Sequence, residues 1–164
     1  MATFKILAAG HSLSNFTLAA TCYTKANYGV NTNTTLSAST PVGVLAGSVA
    51  SIKAGSALTV EPGTLVNRPV GLFVKSASGT SWDANPSIAS GKLTVASYAV
   101  AELDVYETRN AADNANLTYT EGDKLYSSAQ GLLSKEASTE TTVIGVVIKA
   151  PTVSAPSMIV KMLI

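Results

Sequence analysis

Val143-Ile144-Gly145-Val146-Val147-Ile148-Lys149-Ala150 is a short apolar run rich in β-branched residues, with a glycine inside it and a lysine near its end. Val and Ile are stiff at χ1 and pack well on a pleated surface. A run of this length bounded by turn residues reads as a strand. The same character recurs at Pro69-Val70-Gly71-Leu72-Phe73-Val74-Lys75-Ser76: apolar, Gly, three apolar, Lys, small. Each run follows a Gly-led segment, at residues 54–60 and 121–126. The offsets differ, because the second unit carries a longer insert around Gly131, so the period is too irregular for a solenoid or propeller. The pattern reads as two related β-hairpin units in one barrel. Gly71 and Gly145 inside strands predict a bulge, a bend or close backbone approach. Gly122, between Glu121 and Asp123, predicts a tight turn that needs φ > 0.

Working outward, similar runs stand at residues 42–45, 57–60, 93–96 and 158–164, each set off by Gly, Pro, Ser or Asn. Residues 98–106 alternate: Ala99, Ala101, Leu103 and Val105 share one parity. Period two favours a half-buried strand there, although the Ala and Glu content would also permit a helix. Residues 110–116 read as a loop. The fold class is therefore all-β: a small β-barrel or sandwich with an extended N-terminal arm. The arm is residues 1–40, an arm or peripheral strand followed by a loop, and the barrel or sandwich core is 41–164. Between Tyr28 and Thr40 the chain is Thr, Asn and Ser with few large apolar groups, which cannot offset its own ordering entropy by burial. Phe4, Ile6, Phe16 and Leu18 lie upstream and would be costly to leave in water. They are candidate anchors for a partner, as is Trp82, the single tryptophan, in a loop by composition.

Composition narrows the function. Charged residues make up 13% of the 164, against about 25% in ordinary soluble domains. The polar surface must come mostly from Ser, Thr, Asn and Gly. The formal net charge is +1 and the eleven Lys and Arg are scattered along the sequence. That argues against nucleic acid as a partner, which clustered cations would serve. No run approaches 18 apolar residues, so no membrane span is expected, and His11, Ser12, Ser14 and Asn15 break up the apolar start that a secretory signal would need. Cys22 is the one cysteine, so no disulfide can form within the chain, and it reads as a buried thiol. His11 is the one histidine, which leaves a multi-His metal site impossible and a Ser-His-Asp triad without support. No phosphate-binding glycine loop is present. Glu102, Asp104 and Glu107 cluster locally, and Glu102 and Asp104 would share a strand face. A glycosidase pair or cation site has that spacing, but a solvated strand face is the plainer reading. The group Asp113, Asn114, Asn116 lacks EF-hand spacing and reads as a polar turn. No catalytic residue, cofactor or metal is expected.

The C-terminal quarter carries a resemblance. Glu121-Gly122-Asp123-Lys124-Leu125-Tyr126, then Gly131-Leu132-Leu133-Ser134, then residues 143–151, and finally Met158-Ile159-Val160-Lys161-Met162-Leu163-Ile164, resemble the decoration or cement proteins that coat the heads of tailed bacteriophages. Those proteins often carry a Gly-Asp-x-apolar turn, a later apolar-Gly-Val-apolar strand and a terminal apolar strand. The resemblance covers mainly residues 120–164, with a fainter echo at 54–76. It implies a non-enzymatic structural virion protein, made in the host cytoplasm and placed on the outer capsid surface. Its partners would be the major capsid protein, whose neighbouring subunits it bridges, and itself, as a homotrimer. Tail, baseplate or fibre components share some of these motifs. A carbohydrate-binding β-sandwich module remains an alternative, with Trp82 and the tyrosines as its aromatics. From sequence alone, deleting residues 1–38 is expected to leave a folded, soluble protein that no longer binds particles; sedimentation with particles, alongside circular dichroism, checks both halves of that expectation.

Overall fold

The computed structural model describes residues 3–8, 12–18, 44–52, 55, 59–62, 69–76, 92–110, 113–128, 131–137 and 142–164. Among these the chain is all-β, with eleven strands and no helix. They are β1 (Phe4–Ile6), β2 (Ser12–Leu18), β3 (Val49–Ile52), β4 (Thr59–Pro62), β5 (Pro69–Phe73), β6 (Lys92–Ser97), β7 (Val100–Leu103), β8 (Lys124–Ser127), β9 (Leu133–Ser134), β10 (Gly145–Lys149) and β11 (Met158–Met162).

Two assemblies form. One is a six-stranded antiparallel sheet in the order β1-β7-β11-β10-β8-β9. In the other, β2-β4-β3-β5-β6, the pairings run in a closed circuit. One seam of that circuit is parallel and just two pairs long, Thr17↔Thr59 and Leu18↔Val60. The β5–β6 seam is equally short, Leu72↔Ala96 and Phe73↔Val95. The two related runs recognised in the sequence thus lie in different assemblies, β5 in the circuit and β10 in the sheet, rather than as hairpins of one barrel.

Alternation along the strands builds two cores. Ala50, Phe73 and Val95 join Val44 and Val60 in a small cluster inside the circuit. Their neighbours Val49, Leu72 and Ala96 point the other way, into a larger core with Leu103, Leu125, Val147, Met158 and Val160 of the sheet. Successive strand residues face opposite sides, so one wall serves both cores. A backbone bond from the Val49 N–H to the Gly131 C=O (2.8 Å) also ties the wall to the β8–β9 connection.

The glycines do what their positions imply. A Cβ on Gly71, at φ +147°, would lie 2.2 Å from the Ala96 carbonyl oxygen and 2.7 Å from Val95 Cγ1. A Cβ on Gly145 would lie 2.8 Å from the Lys161 carbonyl oxygen. Both mark close backbone approach between paired strands. Gly122 sits at φ +90° in the turn where the Asp123 N–H reaches the Thr120 C=O (3.2 Å). The chain passes from circuit to sheet at Tyr98, a non-glycine at φ +55° held by its N–H donating to the Ile164 C=O (2.7 Å).

Some expected strands fall elsewhere. Of residues 42–45 only Val44 and Leu45 are described; Val44 makes a bridge and the next strand begins at Val49. Residues 98–106 contain β7, and Ala99, Ala101, Leu103 and Val105 are buried on one side as the alternation implies. The division at residue 40 is not one between paired and unpaired chain. β1 pairs with β7, Phe4↔Leu103 to Ile6↔Ala101, and β2 makes six pairs with β6. Residues 19–40 lie outside the described residues.

Two outcomes follow from these pairings. Deleting residues 1–38 removes β1 and β2, which opens the circuit, so loss of the cooperative thermal transition is expected, in contrast to the sequence-only expectation. Gly71→Ala should cost about 3–4 kcal/mol in urea unfolding, combining overpacking with a left-handed backbone, whereas Gly122→Ala, with nothing within 4 Å of its Cβ, should cost about 1–2 kcal/mol.

Candidate functional site

The residues singled out from sequence separate. Phe4 and Ile6 are half-buried and pack against the larger core from the sheet's edge. Phe16 and Leu18 lie on β2, paired by backbone to Leu93 and Val60. Trp82, His11 and Cys22 lie outside the described residues.

The carboxylates are individually engaged. Glu102 Oε1 accepts the Ser157 hydroxyl (2.6 Å), and Asp104 Oδ1 accepts the Thr3 N–H (2.7 Å). Asp113 Oδ1 accepts the Ala115 N–H (3.0 Å), and the Asn114 N–H donates to the Asn110 C=O (2.9 Å), with Asn114 at φ +59°. That geometry is a polar turn. Among the described residues no three His, Cys, Asp or Glu side chains come together as a metal site would require.

Glu107 departs from the solvated-face reading. Only 2% of it is exposed, and its Oε1 has no hydrogen-bond partner. The alternation that leaves Glu102 and Asp104 half-exposed breaks after Val105, because Tyr106 bridges Leu133 in parallel and the Glu107 N–H donates to the Leu133 C=O (2.9 Å). The carboxyl then faces buried serines. Desolvation pushes its pKa up, partly offset by hydrogen bonds from Ser128 and Ser134. Above it, the Tyr119 hydroxyl donates to the Glu107 backbone C=O (2.6 Å), and the Tyr106 hydroxyl donates to the Pro156 C=O (2.7 Å). The two rings meet edge to face at 5.3 Å. They are 4% and 5% exposed, so neither offers a flat face to a sugar. An open groove of about 530 Å³ runs beside them toward Pro151, Val153 and Pro156.

Among the described residues a further feature is the outward side of the six-stranded sheet. Pairing aligns Leu7, Val100, Lys161, Val146 and Lys124 in one row across it. A second row runs Lys5, Glu102, Ile159 and Lys149. Val100, Val146 and Ile159 are half-buried, and the lysines are exposed. Residue 148 is the extra residue of a bulge between Val147 and Lys149, which sets Lys149 opposite Ile159. The lysines look scattered along the sequence because their positions span its whole length; strand order brings them together. The signal available in the sequence was the lysine beside each of Leu125, Val160 and Met162, but it gives parity and not neighbours.

Comparison with known protein families, with curated proteins and with solved structures finds no match.

The buried carboxyl yields a pH dependence of defined sign. With its folded pKa above the usual value of 4.5, Glu107 binds a proton more tightly in the folded than in the unfolded chain. Its protonated form therefore favours folding at low pH, and that contribution is lost as pH rises from about 4.5 through the folded value. Glu107→Gln should melt higher than the parent at pH 8, by an increment that shrinks toward pH 4; thermal melts across the range measure it.

Proposed function

We propose that this chain is a non-enzymatic structural protein of a tailed-phage virion that binds the outer capsid surface. There it bridges neighbouring major capsid protein subunits as a homotrimer. The observation that carries this reading joins sequence to fold. The residues that resemble decoration proteins, 120–164, supply β8, β10 and β11, three of the five consecutive strands whose outward residues make the two-row face. Apolar groups interleaved with long polar side chains on a sheet suit seating against another protein, where the apolar groups give burial and the rim keeps contact with water. Repetition over a shell multiplies a modest affinity at each contact. A formal charge of +1 permits dense packing of copies, since strong like charges would repel.

Electron microscopy of heads from the phage that encodes the chain tests this. All-β density of this size on the outer surface, in threes, is the expected result. Density confined to the tail or fibres, or none on the particle, overturns it.

A further inference from the structure

We infer that the outward face of the six-stranded sheet docks onto an acidic protein surface. On the reading proposed above, which this inference rests on, that surface belongs to the capsid shell.

Charge segregation is the starting point. The face carries Lys5, Lys124, Lys149 and Lys161 against two carboxylates, Glu102 and Asp104, so 4 − 2 gives +2. The whole chain has 11 Lys and Arg against 10 Asp and Glu, or +1, which leaves the remainder at −1 by the same count. Among the described residues none of the four lysines has an ion-pair partner; the one ion pair found there joins Lys135 to Asp123. Glu102, the carboxylate nearest to them in register, already accepts the Ser157 hydroxyl. Among the described residues the cations of this face therefore outnumber its carboxylates and are not ion-paired.

The same pattern decides among occupants. A second copy stacked face to face would set four lysines against four, and like charges brought together suppress association. That argues for copies meeting elsewhere. A polyanion such as nucleic acid would be served by the cations, but it also gains from rings on which bases stack. The positions between these lysines hold the aliphatic Val100, Val146 and Ile159, and the ring of Tyr126 on β8 is half-buried. Aliphatic groups spaced between cations fit a folded surface that offers its own apolar side chains and carboxylates. Lys124 and Lys161 stand two strands apart, about 10 Å at the usual strand spacing, so they would meet separate carboxylates.

The test uses heads stripped of this protein and the full chain in four forms: wild type, K124E/K161E, K124Q/K161Q and K75E. Lys75 is exposed and follows β5, away from the face. Co-sedimentation gives affinity at about 50 mM and about 300 mM NaCl, where screening differs by a Debye length of several ångströms. Wild type should bind and weaken with salt, K75E should match it, and K124E/K161E should bind at least about tenfold more weakly. K124Q/K161Q should fall between, with all four forms melting alike. If K124E/K161E binds as wild type does, the docking face is overturned while the virion reading stands. If wild type fails to bind stripped heads at either salt, the virion reading falls and the inference with it. Tighter binding of wild type to a labelled DNA oligonucleotide than to heads, lost in K124E/K161E, overturns the protein partner in favour of a polyanion. A changed oligomeric state of K124E/K161E in analytical ultracentrifugation overturns it in favour of a contact between copies.

Discussion

The wall made by β3, β5 and β6 is buried on both sides, and the two halves of the molecule depend on that. Val49, Leu72 and Ala96 form one row of it, in register, and face the sheet. Ala50, Phe73 and Val95 face the interior of the circuit. No position in these rows can be polar without facing apolar surroundings, which is why the run around Leu72 and Phe73 is apolar on consecutive residues and does not alternate. Gly71 sets how closely β5 approaches β6. Tyr98 then redirects the chain from this wall into the sheet, at the cost of a backbone conformation that side chains disfavour.

Much of this was legible in the sequence where burial is two-sided or the parity is clean. The runs that became β5, β6, β10 and β11 stood out because β-branched residues crowd between turn residues. The roles of Gly71, Gly122 and Gly145 could be read from their contexts. β3 was missed because Val49-Ala50-Ser51-Ile52 is diluted by small residues, although Val49 and Ala50 are wholly buried. Residues 1–40 read as an arm or a peripheral strand plus loop, and the partners of β1 and β2, which are β7 and β6, could not be named because they are distant in sequence and pairing cannot be seen from one strand. Glu107 was misjudged for a related reason: the bridge to Leu133 changes which residues face inward, and nothing local announces it.

The candidate site was less legible than the fold. Lys5, Lys124, Lys149 and Lys161 are separated by up to 156 positions (161 − 5), and only strand order makes them neighbours. A search for runs of cations in the sequence is blind to such a surface. The enzyme reading rested on Glu102 and Asp104 sharing a face, and each accepts a separate hydrogen bond, from the Ser157 hydroxyl and from the Thr3 N–H. Those contacts fasten the start of β11 and the approach to β1 against β7, a structural task that two carboxylates on a strand perform without a pocket.

Strand order also has a consequence for biosynthesis. β11 is the last of the eleven strands to be made, yet it lies between β7 and β10. On a ribosome, β1, β7, β8, β9 and β10 emerge first and cannot be joined into one sheet until residues 158–162 follow. Their cross-sheet contacts span long stretches of chain, which slows folding. During that interval β7 and β10 each present an edge to whatever is nearby, including another nascent copy. The Ser, Thr and Gly between the apolar runs keep those waiting segments hydrated, so a composition with only 13% charged residues also bears on how the chain survives its own synthesis.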